Sequence, residues 1–190
     1  DEQATFLAFG ALWTTTATVE LIAPIAQLDE QTTETALNGL IAHSLTRREA
    51  TPDGVTRFRA HDLTRDFALA LLRERAKLPA AQTRALEACA AYAGRYANIE
   101  RAAHDRLDAE LDNLLAASDW ADVQKEWDVV DQLALDLWTN SEFLPQRGHS
   151  RRAIRLLSLG IKAAQVRSNR HNEGVHLRQL GWAYTNLGEY

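Results

Sequence analysis

Apolar residues recur at three- and four-residue steps along most of the chain, and this rhythm is broken once, between residues 45 and 59. Residues 1–12 (DEQATFLAFGAL) read as a helix, and Thr18–Gln27 as a second, with Val19, Ile22 and Ile25 at helical spacing and Pro24 set to bend or shorten it. A third helix follows Asp29, a good N-cap, and places Thr33, Leu37, Leu40, Ile41 and Ser44 along one face. Leu45–Glu49 and Val55–Arg59 then flank Thr51-Pro52-Asp53-Gly54, where proline and glycine stand as a tight turn requires, and this predicts a β-hairpin. The chain re-enters helix at Asp62, with Leu63, Phe67, Ala70 and Leu71 on the face expected to be buried.

From Pro79 onward the pattern is helical almost throughout, rich in Ala and Leu. Helices are predicted over about 80–98, 102–119, 124–142, 149–166 and 173–187, with Pro145, Gly148 and the Ser168-Asn169-Arg170 stretch supplying the later turns. Leu180-Gly181, Tyr184, Leu187-Gly188 and Tyr190 match the first helix of a tetratricopeptide repeat, in which a small residue lets paired helices approach. Shifted back by roughly 40 residues, against about 34 for the standard unit, Gly148 falls where Gly188 is. Ala153, Leu157 and Gly160 then take the small, large and small positions of a second helix. A half-repeat ending at Tyr190 leaves an apolar face uncovered, so further repeats are expected downstream. The abrupt helical start suggests continuation upstream.

Three short helices followed by a two-stranded wing is the order of a winged-helix domain. The expected fold is therefore mainly α: a winged-helix domain over residues 1–76, a helical linker over 77–123, and tetratricopeptide-like repeats over 124–190.

Composition narrows the function. Hydrophobic residues at 46% and charged residues at 25% give a globular balance. Cys89 is the single cysteine, so no internal disulfide forms; this fits a reducing compartment, and a cytoplasmic location is expected. Nowhere do about 18 apolar residues run together, and no span or export signal is expected. A net charge of -5 argues weakly against nucleic acid. The third helix carries Asp29, Glu30 and Glu34 with no Lys or Arg through His43, and only Arg47, Arg48, Arg57 and Arg59 of the wing are basic. A later cluster, Arg147, Arg151, Arg152 and Arg155 with His149, reads as a solvated helix face or a polyanion site.

No glycine lies in a G-x-x-x-x-G-K-[ST] setting, so a phosphate-binding loop is not encoded, and His104, His149, His171 and His176 lack metal-ligand spacing. Cys89, among Ala88, Ala90 and Ala91, reads as a core thiol. The pairs Asp108 with Asp112 and Asp128 with Asp131 read as surface groups, and Trp120, Trp127, Trp138 and Trp182 as plugs between packed helices. No catalytic residue and no metal are expected; the chain is not read as an enzyme.

Two stretches carry a family resemblance. Phe58-Arg59-Ala60-His61-Asp62-Leu63-Thr64-Arg65-Asp66-Phe67-Ala68 resembles the junction closing the winged helix of NB-ARC proteins, the STAND-type signal-transduction NTPases, with its His-Asp pair. Glu110-Leu111-Asp112-Asn113-Leu114-Leu115-Ala116-Ala117-Ser118-Asp119-Trp120-Ala121 resembles the helix preceding the repeat array in bacterial regulators of that class. The resemblance implies an upstream nucleotide-binding domain, absent here, that holds ADP at rest and exchanges it for ATP to permit oligomerisation. His61 would reach the ADP phosphate, at a helix start where backbone N–H groups and the dipole favour an anion. Alternatively, His61 bonds a neighbouring carbonyl or carboxylate and fixes the turn. The function expected is a regulatory and protein-interaction module of a nucleotide-switched signalling protein, with a protein or small-ligand signal on the repeats. The alternative is a DNA-binding winged-helix transcription regulator with a repeat-based sensor.

Overall fold

The computed structural model describes residues 1–52 and 54–188; Asp53 of the predicted turn and Tyr190 of the predicted repeat lie outside the described residues. The fold is mainly helical, with one small three-stranded antiparallel sheet. Two compact units form: Asp1–Tyr92 with Asp108–Asn113, and Ala93–Leu107 with Leu114–Tyr190.

The first unit opens with α1 (Glu2–Ala11), the two-residue strand β1 (Thr16–Ala17), α2 (Val19–Ala26) and α3 (Glu30–Ala42). Thr18 caps α2, its hydroxyl accepting from the Leu21 N–H at 3.3 Å, and buries Leu21, Ile22 and Ile25. Pro24 lies in the last turn, and the helix stops two residues later with Gln27 in the left-handed region at φ 61°. Asp29 caps α3 as expected, accepting from the Thr32 N–H at 2.8 Å. Thr33, Leu37 and Leu40 point inward, whereas Ser44 falls beyond the helix end and is exposed.

The hairpin is present as β2 (Thr46–Ala50) and β3 (Thr56–Ala60), paired antiparallel with Arg48 opposite Phe58. β1 pairs with the other edge of β3, Ala17 opposite Phe58, giving the order β1-β3-β2. Two residues are too short to show an alternating pattern, which is why β1 escaped the sequence reading. Phe58 and Ala60 are buried beneath the sheet.

The next helix, α4 (Asp62–Glu74), overturns an expectation. Its buried residues are Ala68 and Leu72, while Leu63 is 83% and Phe67 59% exposed, Ala70 is exposed and Leu71 half-buried. The cause is close packing on α1. A Cβ added at Gly10 would lie 2.6 Å from the backbone of Ala68 and Leu69, so the helices meet through their smallest residues and the larger apolar stripe turns outward.

α5 (Leu78–Arg95) and α6 (Arg101–Gln124) contribute residues to both units. The second unit continues with α7 (Trp127–Ala134), a π-helical turn (Leu135–Asn140), α8 (Phe143–Gln146), α9 (Ser150–Val166) and α10 (Arg170–Leu187). α9 packs on both α7 and α10. Gly160 makes this possible: a Cβ there would meet the Ala134 Cβ at 3.0 Å and the His176 ring at 3.1 Å. Ala153 and Leu157 are fully buried beside it. Gly148 and Gly188, paired by the 40-residue shift, both follow a helix in the left-handed region, at φ 74° and 73°.

Candidate functional site

In the first unit, the third helix that a DNA-reading winged helix would present exposes carboxylates and no Lys or Arg. Asp29, Glu30 and Glu34 of α3 are all exposed. The four wing arginines are each held near a carboxylate. Arg47 meets Glu49 at 2.6 Å, Arg59 lies 3.9 Å from the same Glu49, and Arg48 bonds Glu34 at 3.1 Å while lying 5.3 Å from the Phe58 ring centroid. Arg57 donates to the Thr16 carbonyl at 3.1 Å and stands 4.0 Å from Glu110.

Glu110, on α6, is fully buried in the same unit. One carboxylate oxygen accepts from the Thr18 N–H at 2.5 Å and the other from Asn113 Nδ2 at 2.7 Å. Asn113 also donates to the Thr16 carbonyl at 2.8 Å and, through Oδ1, accepts from the Thr14 hydroxyl at 2.7 Å. Thus Glu110 and Asn113, three residues apart on one helix face, hold β1 and the start of α2. Burial pushes the Glu110 carboxyl above the usual glutamate range, while Arg57, Asn113 and Thr18 pull it back. The sequence reading assigned neither residue a role; the visible signal was a Glu and an Asn flanked by Leu107, Leu111 and Leu114. Burial, reinforced by Glu110, pushes the Cys89 thiol well up, and its Sγ lies 3.9 Å from the Asn113 carbonyl: a packed core thiol.

His61 is the N-cap residue of α4, exposed, and its side chain makes no capping hydrogen bond. The Arg65 N–H donates to the His61 carbonyl at 2.9 Å, the first bond of the helix, and the imidazole is left at the surface. Ala60, just before it, is buried and donates its N–H to the Thr15 carbonyl at 2.9 Å.

The second unit corrects two further expectations. Asp128 is at the surface, but Asp131 is 2% exposed and accepts from His176 Nε2, Arg167 and Asn172, each at 2.7 Å. His176 is itself fully buried. Trp138 is a buried plug, whereas Trp182 is 65% exposed and plugs nothing. These two tryptophans, with Thr139, Glu142, Arg178 and Gln179, line an open cleft of about 430 Å³. Of the predicted arginine cluster, Arg151, Arg152 and Arg155 are exposed on α9 as a solvated face, Arg147 pairs with Asp105, and Arg155 with Asp119 at 2.6 Å. His104 bonds the Ser141 carbonyl at 2.8 Å, and His171 is exposed. Among the described residues no group of His, Cys, Asp and Glu is arranged to hold a metal ion, and no helix is long and apolar enough to cross a membrane.

A three-helix core, a two-stranded wing and a closing helix are thus in place between residues 2 and 74. Residues 2–73 match the family model of the winged helix-turn-helix domain. That segment is a winged helix-turn-helix domain. The match to the winged-helix family ends one residue short of the end of α4 and does not extend to the later helices. No curated protein and no solved structure matches the chain.

Proposed function

We propose that this chain is a regulatory and protein-interaction module of a nucleotide-switched signalling protein. In this reading its winged-helix domain meets an upstream nucleotide-binding domain, and its later helices, arranged as tetratricopeptide-like repeats, bind a protein or small-ligand signal. The observation that carries the reading is the charge of the winged-helix surface: α3 exposes carboxylates, and every wing arginine lies near one. Duplex binding needs several uncommitted cations against phosphates, so this surface suits a protein better than DNA. His61 supports the nucleotide part. An uncommitted imidazole beside the first N–H groups of α4 can add a donor to a phosphate held by another domain.

The test is ADP retention in the full-length natural protein. His61→Ala is expected to speed ADP release about tenfold, the worth of roughly one charge-assisted hydrogen bond, and to raise oligomerisation on ATP exchange. Unchanged ADP release refutes the nucleotide role. Duplex DNA is expected to bind only weakly at physiological salt; tight, salt-dependent binding in a gel shift would favour the rival transcription-regulator reading, for which the winged helix-turn-helix match is the supporting observation.

A further inference from the structure

The apolar stripe that α4 turns outward forms, with its neighbours, a groove of about 510 Å³ lined by Phe6 of α1, Leu40 and Leu45, and Leu63, Phe67 and Leu71. Leu63 and Phe67 are among the most exposed large hydrophobic residues described, and Phe6 stands beside Phe67 with ring centroids 6.1 Å apart. Nothing in the winged-helix core needs them there. Grouped apolar exposure of this kind marks a binding surface.

The shape and charge of the groove select its occupant. Leu63, Phe67 and Leu71 lie at successive four-residue steps, a row about 12 Å long at 1.5 Å per residue, matching two turns of a partner helix. The long walls are helices, α1 and α4, which offer no free strand edge, so an extended peptide would gain no backbone ladder. The rim is acidic: Glu2 lines the groove itself, and Asp62 and Asp66 lie one step around α4 from Leu63 and Phe67. Arg65, next to Asp66 in the sequence, donates to the Leu12 carbonyl at 2.8 Å and lies 3.5 Å from Asp66, offsetting part of that charge and leaving Glu2 and Asp62 as the stronger anionic positions.

We infer that this groove docks a basic amphipathic helix, with apolar anchors at i, i+4 and i+7 seated against Phe6 and Phe67 and with Lys or Arg facing Glu2, Asp62 and Asp66. The inference goes beyond the nucleotide reading and does not depend on it, since neither His61 nor ADP takes part.

The probe is a fluorescein-labelled 14-residue synthetic helix with Leu anchors at that spacing and Lys elsewhere, beside a twin in which every Lys is Glu. Anisotropy titrations use the 190-residue chain. The Lys peptide is expected to bind at micromolar concentration in 50 mM salt and several-fold more weakly in 300 mM, with the Glu twin at least tenfold weaker. Leu63→Ser with Phe67→Ser is expected to abolish binding while the fold, read by circular dichroism, is kept, both side chains being mostly exposed, and Asp62→Asn with Asp66→Asn to weaken it severalfold. Equal binding of the two peptides, no binding of either, or full binding to the Leu63/Phe67 double variant overturns the proposal. So does a concentration-dependent dimer in sedimentation that Leu63→Ser abolishes, since a second copy of the chain is then the occupant.

Discussion

Replacing Glu110 tests whether a single buried carboxylate fixes β1 and the start of α2. Glu110→Ala removes the acceptor of the Thr18 N–H and of Asn113 Nδ2, and the counter-charge of Arg57. Each buried donor left unmade costs about 1–3 kcal/mol. Arg57 keeps 18% of its side-chain surface and so recovers some hydration. Against these losses stands the relief of a charge that burial disfavours, which is why the Glu110 carboxyl titrates high. The net expectation is a loss of about 2–4 kcal/mol. Glu110→Gln keeps the volume and one acceptor but sets an NH2 against a donor, and should cost about half as much. Because two units need not unfold together, a global melt is a blunt measure. Amide exchange at Thr18, Leu21 and Ile22 reads the effect directly, since the Thr18 N–H is the group released. The pH dependence follows with its sign. A carboxyl whose folded value is raised contributes most to stability when protonated, below the ordinary glutamate value of 4.5, and that contribution is lost as pH rises through the folded value. Wild-type protection in this region should therefore decline on raising the pH from about 4.5, and the decline should vanish in Glu110→Gln. Unchanged Thr18 exchange in Glu110→Ala, or an identical pH slope in the Gln variant, would refute the account.

Gly10→Ala is expected to cost about 3 kcal/mol, because the added methyl meets the α4 backbone at 2.6 Å and only separation of the two helices can relieve it; amide exchange in α1 and α4 reads the loss. Asp131→Ala removes the partner of His176 Nε2 and of the Asn172 amide, while Arg167 keeps Asp128, and should destabilise the second unit by about 3 kcal/mol, with α9 and α10 amides exchanging faster while those of α3 do not change. If α3 loosens equally, the two units do not unfold independently.

Most helices could be read from the sequence because they carry their own signals. Asp29 caps α3, proline and glycine mark the wing, and Gly148 and Gly188 close helices 40 residues apart. The reading failed where tertiary packing chose between two faces of one helix. On α4 the rule that the largest apolar residues point inward selected Leu63 and Phe67, but α1 approaches so closely at Gly10 that only Ala68 and Leu72 fit between them. It failed too where a polar residue is buried by partners distant in sequence. Glu110 finds Thr18 at a separation of 92 residues, and Asp131 finds His176 at 45. A single sequence shows a carboxylate on a helix but not the amide or imidazole that will meet it. The helix start at Asp62, directly after His61, was legible because the strand pattern gives way there to helical spacing.

The contact at Gly10 also bears on how the two helices can move. With no side-chain layer between α1 and α4 at that crossing, there is no cushion that could let one helix slip along the other. A displacement of α4 at this crossing would then carry α1 with it, so the two helices behave as one arm rather than as separate springs.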